Sequence, residues 1–402
     1  MKKLISLLLV VCMLCSMLIG CGKQEEANAP AAENEDSGTA TAPAAEFNAE
    51  DDAKYADVDA PKGFKIGFAY LPPTDTLSAT FHKTLDYCAE QFGCEMFYVE
   101  WTAYDMDSIL SGYENMIQAG CDAIICASPL PGFIDACNES GVYWATIGGE
   151  LTEEILPMAL ASDYYLGSIA QDETTSGYKM AQTLYDAGCR EVAFKGVTPG
   201  TGSLHDMRRW GFMDFVEEHD DMNVVVEALD SMNPTLFEEI IAAHGTKIDS
   251  IVATGADAAL PAAIIAAGYE NDIKYTTIDL QGDVRTDLDT GLCAGVACGQ
   301  YPVVELAFML LYNKLASDAV IMQDRSKALL LPYMWLYNSE DYDEYIYYLE
   351  GDVPAFTGDE LKEMCLAYNP DATVETAWET LQNHMKNYSL DDVMTRHAEL
   401  FN

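Results

Sequence analysis

The sequence is short of positive charge. Its 402 residues include 21 lysines and arginines against 66 aspartates and glutamates, so the formal net charge is −45. A surface this acidic repels the phosphates of nucleic acids and anionic lipid headgroups. The composition therefore argues against a nucleic-acid partner and against membrane binding through charge. Half of the residues are apolar, which is ample for a core and, at this length, favours two domains over one.

Recognisable catalytic motifs are also lacking. The six histidines are scattered, with no H-x-x-x-H or H-E-x-x-H pair that would bind a metal. The stretch "TPGTGS" (198–203) has neither the third glycine nor the Lys-Ser/Thr of a phosphate-binding loop, and no G-x-S-x-G is present. We therefore expect no cofactor, no metal and no catalysis. A surface enzyme that acts on glycans stays as the weaker alternative.

The twelve cysteines do not form a disulfide or zinc pattern. Two lie in the N-terminal apolar run, and nine, an odd number, follow Cys21. The two C-x4-C pairs, Cys121/Cys126 and Cys293/Cys298, have the wrong spacing for zinc and no histidine nearby. Most of these cysteines occur in apolar strand or helix patterns, so we predict small buried hydrophobic side chains.

The N-terminus carries an export signal. Two lysines precede an apolar run of about 17 residues, which is typical of a secretory signal peptide over 1–20. Leu18-Ile19-Gly20-Cys21 resembles the bacterial lipobox, in which cleavage occurs before a cysteine whose thiol receives a diacylglycerol that carries acyl chains such as palmitate. The resemblance implies a lipid anchor at Cys21 on the extracytoplasmic face of a bacterial cell membrane, in a Gram-positive organism. The acidic stretch 21–62 has no apolar period and reads as a disordered tether.

From Phe64 onward, short apolar strands alternate with amphipathic helices. "FKIGFAY", "CDAIICAS" and "IDSIVATG" are typical of buried parallel strands with helices between them. The alternation of strands and helices starts again near residue 160, which predicts an α/β protein of two doubly wound parallel-sheet lobes. We place the first lobe at 63–160 and 301–330, and the second at 161–300 and 331–340. A helical C-terminal extension, 341–402, is expected to pack onto one lobe.

Four weak motifs follow one another between residues 172 and 302. They are D-x4-G (Asp172 to Gly177), R-x-x-G-F (Arg208 to Phe212), a strand-terminal Asp279, and Q-x-P (Gln300 to Pro302). In this order, behind a lipobox, the set resembles the type I periplasmic binding proteins, and within them the ribose-binding-protein group of sugar ABC transporter components. The resemblance covers about residues 64–340. It implies a three-strand hinge near 160–168, 298–302 and 330–334.

The resemblance also implies a ligand site between the lobes. Arg208 would hydrogen-bond sugar hydroxyls, Asp279 would accept from a pair of hydroxyls, and Gln300 would act at the hinge. The alternatives are a surface arginine, a helix N-cap and a structural amide. Asp75 would be the polar contact from the first lobe, and Tyr70 either a stacking face or a core residue.

Some positions depart from the pattern of the group. Gly148-Gly149 stands where many relatives have Asp-Arg, and Gly255-Ala256 where they have Asn-Asp, with Asp257 next door as a substitute contact. Fewer hydrogen-bonding side chains and more room predict a ligand that is bulkier than a simple monosaccharide or otherwise different from one.

Taken together, the resemblance implies a monomeric solute-binding lipoprotein that captures a carbohydrate and delivers it to an ABC permease, with a lipid anchor as its only membrane contact. A nucleoside-binding lipoprotein and a sensor that presents ligand to a receptor kinase are alternatives of the same fold.

Overall fold

The computed structural model describes residues 54–73, 76–101, 106–199, 203–230, 233–255 and 257–401. Within them the chain forms twelve strands: β1 (Lys65–Tyr70), β2 (Glu95–Glu100), β3 (Ala123–Cys126), β4 (Tyr143–Thr146), β5 (Tyr165–Gln171), β6 (Glu191–Gly196), β7 (Asn223–Leu229), β8 (Ser250–Ala253), β9 (Lys274–Ile278), β10 (Cys293–Cys298), β11 (Leu329–Leu331) and β12 (Met334–Leu336). The signal peptide, Cys21, most of the tether and Asp75 lie outside the described residues.

The same residues contain fourteen helices. They are α1 (Thr76–Phe92), α2 (Met106–Gln118), α3 (Pro131–Ser140), α4 (Ile155–Ala161), α5 (Glu173–Asp186), α6 (Ser203–Glu218), α7 (Leu236–His244), α8 (Ala259–Ala266), α9 (Val284–Thr290), α10 (Pro302–Ser317), α11 (Ser339–Leu349), α12 (Gly358–Glu363), α13 (Val374–Asn387) and α14 (Leu390–Arg396). None of these helices is long and apolar enough to cross a membrane.

The strands form two six-stranded sheets. The first has the order β11-β5-β4-β3-β1-β2 and is parallel throughout; the second has the order β12-β10-β9-β8-β6-β7, with only β12 antiparallel. Strands β3 and β8 are buried along their whole length, because helices cover both faces of each sheet. The predicted fold class, two doubly wound lobes with C-terminal helices, is confirmed.

The chain changes sheets three times. It crosses between β5 and α5, between β10 and α10, and between β11 and β12. The second and third crossings fall at the expected 298–302 and 330–334. The first does not fall near 160–168, because β5 pairs with β4 and β11 in the first sheet. The boundary of the first lobe therefore moves from residue 160 to Gln171. The apolar pattern of β5 could not reveal this, since pairing partners decide which sheet a strand joins.

The C-terminal extension contacts both lobes, and not one as expected. In α11, Asp343 accepts two hydrogen bonds from Arg285 of α9 in the second lobe, at 2.7 and 2.6 Å. Further along, the buried Asn313 of α10 in the first lobe donates to the Met364 carbonyl (3.1 Å) and accepts from the Leu366 amide (3.0 Å). The extension therefore runs from one lobe to the other, beside the hinge.

The described cysteines behave as predicted from their apolar surroundings. None of the nine forms a disulfide within the described residues, and all but Cys94 are buried. Burial raises the pKa of the Cys126 and Cys293 thiols to about 12, so both stay protonated at neutral pH. Within the described part of the chain, no cluster of His, Cys, Asp or Glu could hold a metal ion.

Candidate functional site

A cavity of about 340 Å³ lies between the lobes, where the carboxyl ends of the strands of both sheets meet. Apolar walls and a few convergent polar groups are typical of small-molecule sites. The described residues that line it are Tyr70, Leu71, Leu77, Phe81, Ala127, Ser128, Ile147, Gly148, Gln171, Glu173, Leu204, His205, Arg208, Gly255, Asp279, Leu280, Gln281, Gln300 and Tyr333.

Each hinge crossing supplies a polar side chain to this cavity. Glu173 follows the first crossing, Gln300 lies in the second and Tyr333 in the third. Glu173 and Gln300 are buried. Hinge residues change position relative to the lobes when the lobes move. The wall of the cavity therefore includes one side chain from each crossing.

Arg208 lies in the cavity wall, but its guanidinium is already engaged. Nε and Nη2 donate to the two carboxylate oxygens of Glu173, at 2.6 and 3.0 Å. Nη2 also donates to the Tyr333 hydroxyl (2.8 Å), and Nη1 donates to the Thr254 carbonyl. A guanidinium has five N–H donors, and these four contacts leave one on Nη1. Arg208 can therefore donate at most one hydrogen bond to a ligand, whereas the family resemblance implies hydrogen bonds to several sugar hydroxyls.

The Tyr333 hydroxyl completes this group. It accepts from Arg208 and lies 3.2 Å from a Glu173 carboxylate oxygen, to which it donates. Burial raises the pKa of Tyr333 well above its usual value, so the hydroxyl keeps the proton it donates. Burial also lowers the pKa of Arg208, but Glu173 outweighs this and raises it overall, so the arginine stays charged. Glu173 and Tyr333 were missed from the sequence, because nothing local marks them as partners of Arg208.

Two glycines explain how Glu173 and Arg208 come into contact. A Cβ on Gly177 of α5 would lie 1.9 Å from the Arg208 carbonyl oxygen, and one on Gly211 of α6 would lie 1.9 Å from the Thr174 carbonyl oxygen. Only glycine allows the two helix backbones to touch in this way. The D-x4-G and R-x-x-G-F motifs are thus the two halves of one helix contact, and Asp172 caps α5 by accepting from the Thr175 amide at 3.1 Å.

Asp279 and Gln300 are brought together as a pair. The Gln300 amide donates to the Asp279 carboxylate, and both side chains line the cavity. The backbone of Asp279 has φ +72°, a left-handed conformation that aspartate tolerates better than most residues, and its N–H donates to the Ala297 carbonyl at 2.8 Å. Gln300 thereby orients a carboxylate that can accept hydrogen bonds from ligand hydroxyls.

His205 is a cavity residue that the sequence did not reveal. It lies one helical turn before Arg208, on the same face of α6, and its Nδ1 is 3.0 Å from the Thr254 hydroxyl. Burial, with smaller contributions from Arg208 and Lys195, lowers the pKa of His205 to about 3. The imidazole is therefore neutral at physiological pH and can both donate and accept.

The structure places the other two predicted ligand contacts among the described residues, Tyr70 and Asp257, differently. Tyr70 lines the cavity and also packs in an aromatic cluster, with ring centroids 5.3 Å from Phe81 and 5.6 Å from Trp101. The core packing of Tyr70 is therefore observed, and its role as a stacking face for a ligand stays a prediction. Asp257 lies outside the cavity lining: its carboxylate accepts from the Ala259 amide at the start of α8 (3.1 Å) and lies 3.6 Å from the Lys195 ammonium.

The cavity is negative overall among its described residues. Glu173 and Asp279 contribute two carboxylates, Arg208 contributes one cation, and His205 is neutral. One negative charge is thus in excess, within a partly buried site where charges interact strongly. Gly148, at φ +85°, contributes no side chain to the wall, in line with the departure noted in the sequence.

Comparisons with known proteins agree with this geometry. The profile of a family described as "Periplasmic binding protein domain" matches residues 66–319. A search of curated proteins gave no match.

Solved structures of the same fold are numerous. A galactofuranose-binding protein has a TM-score of 0.60 at 15% identity, over 70% of this chain and 96% of that one. An arabinose transporter component from Shewanella sp. ANA-3, bound to L-arabinofuranose, has a TM-score of 0.58 at 18% identity, over 70% and 94%. A solute-binding protein from Actinobacillus succinogenes, with bound D-allose, has a TM-score of 0.59 at 17% identity, over 70% and 100%.

Proposed function

Because this chain belongs to the periplasmic binding protein family, we propose that it is the solute-binding component of an ABC importer and captures a neutral carbohydrate between its lobes. The observation that carries the proposal is the convergence of one polar side chain from each of the three hinge crossings on the interlobe cavity. A ligand that contacts both lobes and the hinge favours the closed state by its difference in affinity for the two states.

The lining suits a ligand that has hydroxyl groups on an apolar ring. Asp279 and Gln300 provide acceptors and a donor, Arg208 provides one remaining N–H, and the neutral His205 provides another polar group. Tyr70 and Phe81 form an aromatic wall on the side of the first lobe. The three related structures cited above are named for galactofuranose or hold L-arabinofuranose or D-allose, all neutral sugars.

The charge of the cavity narrows the class of sugar. An anionic sugar, such as a uronate or a sugar phosphate, would place a second negative charge beside Asp279 in a site that already has one in excess. Like charges this close are costly where water is partly excluded. We therefore expect neutral aldoses, ketoses and cyclic polyols to bind in preference to acidic sugars of the same size.

A thermal-shift panel tests the proposal, since a ligand that binds only the native state raises its melting temperature. The panel contains neutral monosaccharides, cyclic polyols, the matching uronates and sugar phosphates, and nucleosides. We expect a shift with at least one neutral sugar and none with its uronate. A shift with nucleosides alone would replace this proposal with the nucleoside-binding alternative.

The anchoring of the protein is also part of the proposal. Leu18-Ile19-Gly20-Cys21 supports cleavage before Cys21 and transfer of a diacylglycerol to its thiol, which would hold the lobes beside the permease on the outer face of the membrane. Cys21→Ser should release the protein from the membrane fraction. Retention of the Cys21→Ser variant in that fraction, with normal processing, would contradict the anchor.

The transport role is distinguished from a sensing role by genetics. Deletion of the chain should abolish uptake of the labelled sugar identified by the panel. Unchanged uptake with loss of sugar-induced transcription would favour the receptor-kinase alternative.

A further inference from the structure

A second cavity, of about 140 Å³, lies within the first lobe. It is bordered by the loop after β4, by β5, and by the loop before β11. Its lining shares no residue with the interlobe cavity. The polar residues that line it are Glu150, Tyr165, Ser168, Arg325, Ser326 and Lys327.

A β-bulge directs two side chains of β5 to this cavity. Tyr165 pairs with Trp144 and Ser168 with Thr146, so three steps along β5 match two along β4. Because of the extra residue, Tyr165 and Ser168 point to the same face, although three steps along a regular strand would put them on opposite faces. Gly167 makes the bulge possible: its φ is +134°, and a Cβ there would lie 2.2 Å from the Met322 sulfur.

Both of these side chains carry a hydroxyl that has no partner. Tyr165 is fully buried and Ser168 is 2% exposed, yet neither hydroxyl makes a hydrogen bond to any described residue. The ring centroids of Tyr165 and Trp144 lie 4.5 Å apart, and this packing holds the Tyr165 hydroxyl in place. Buried hydroxyls are rarely left unpaired, because the lost hydrogen bonds to water are costly. A bound species in this cavity would supply the missing partners of both groups.

The charge at this cavity is positive, against the character of the whole chain. Its lining includes two cations, Arg325 and Lys327, and one carboxylate, Glu150. In the whole chain, by contrast, 66 acidic residues outnumber 21 basic ones. Arg325 donates through Nη1 to the Tyr165 carbonyl, which holds its guanidinium over the start of β5. The adjacent Asp324 is turned back on its own loop, where it accepts from the Ser326 amide at 3.0 Å and the Ser326 hydroxyl at 2.5 Å.

We propose that this cavity binds a small oxyanion, either phosphate or the carboxylate of a small acid, between the hydroxyls of Tyr165 and Ser168 and the cations of Arg325 and Lys327. A guanidinium and an ammonium are donors only, and the two hydroxyls add donors that lack acceptors. An acceptor-rich anion satisfies all four groups, whereas a neutral sugar does not match the two cations. The volume is sufficient, since a cavity of about 150 Å³ holds a six-carbon ring.

The test is a thermal-shift and calorimetric titration of the mature chain with phosphate, sulfate and acetate, at constant ionic strength set by chloride. We expect phosphate or acetate to raise the melting temperature and to give saturable heat, with chloride alone having neither effect. A response to phosphate only assigns a phosphate site, and a response to acetate only assigns a carboxylate site. No response above chloride to any of the three anions overturns the proposal and leaves ordered water as the occupant.

Variants locate the binding. Arg325→Gln should weaken the anion at least tenfold and Tyr165→Phe at least threefold, while Lys247→Gln, which removes an exposed cation after α7 in the second lobe, should have no effect. Tyr165→Phe keeps the ring against Trp144, so it serves as the test if Arg325→Gln does not fold. Anion binding of unchanged strength in both Arg325→Gln and Tyr165→Phe would show that the anion binds elsewhere and would refute the assignment. Binding of neutral sugar to the interlobe cavity is measured separately and does not depend on this result.

Discussion

Glu173 and Arg208 form a buried ion pair between the first turn of α5 and the middle of α6, with Nε 2.6 Å and Nη2 3.0 Å from the two carboxylate oxygens. Both residues are more than nine-tenths buried. The pair joins the first hinge crossing to the wall of the interlobe cavity, and Tyr333 ties it to the third crossing. The same contact thus supports the second lobe and shapes the wall of the interlobe cavity.

Removing one member of this pair should be costly. Glu173→Ala leaves the Arg208 guanidinium buried without its carboxylate, and loss of a buried partner costs about 3–5 kcal/mol. Urea unfolding monitored by circular dichroism measures the change. The matched control is Asp343→Ala, which breaks an exposed bidentate pair with Arg285 and should cost at most about 1 kcal/mol. Equal losses in the two variants would contradict the structural role of the buried pair.

The contact between α5 and α6 should not tolerate a methyl group. Gly177→Ala places a Cβ 1.9 Å from the Arg208 carbonyl oxygen, so the helices must separate. We expect a loss of more than about 2 kcal/mol in unfolding free energy, and weaker ligand binding because Arg208 moves. Gly112→Ala in α2 is the control: its Cβ would meet nothing closer than 3.4 Å, so the variant should stay within about 1 kcal/mol of the parent.

Asp279 and Asp257 should differ in their effect on ligand affinity. Asp279→Ala removes an acceptor from the cavity and leaves Gln300 without its partner, which should weaken binding by about 1–3 kcal/mol. Asp257→Ala removes a carboxylate outside the cavity, together with its contacts to the Ala259 amide and Lys195, so it should alter stability by about 1 kcal/mol and leave affinity unchanged. Calorimetry with the sugar found by the panel measures both. Loss of affinity in the Asp257 variant would return that residue to the site.

His205 should make stability depend on pH below neutrality. Burial holds its folded-state pKa at about 3, whereas in the unfolded chain it is near 6.5. Between these values the unfolded state binds one more proton than the folded state. Stability should therefore fall as pH decreases from about 6.5 towards 3, by about 1.4 kcal/mol per pH unit from this group. His205→Gln should remove that part of the slope between pH 6.5 and 5; an unchanged slope would mean that other groups produce it.

The C-terminal extension should be held to the first lobe by Asn313. This side chain is fully buried and bonds to the backbone at Met364 and Leu366. Asn313→Ala leaves those backbone groups unpaired, which costs about 1–3 kcal/mol, and should speed proteolysis within 350–401. Asn223→Ala, which removes an exposed contact to Glu191 at 3.1 Å, is the control. Digestion of both variants at the same rate would mean that Asn313 does not hold the extension.

Parts of the site could be foreseen, and others could not. Arg208, Asp279 and Gln300 lie in recognisable motifs, and all three line the cavity. Glu173, Tyr333 and His205 were not foreseen, because their roles depend on neighbours 35 to 160 positions away. The helix spacing between His205 and Arg208 was the one local signal that could have shown a shared face.

What the sequence determined by itself is the class of fold and the pattern of burial. Apolar runs of four to seven residues separated by amphipathic helices require covered parallel sheets, whatever the order of the strands. Only the tertiary structure decided that β5 belongs to the first sheet and that Arg208 forms an ion pair with Glu173. It also decided that a bulge at Gly167 turns Tyr165 and Ser168 to one face. Each of these depends on a contact between distant segments, and local propensity cannot encode which distant segment a residue will meet.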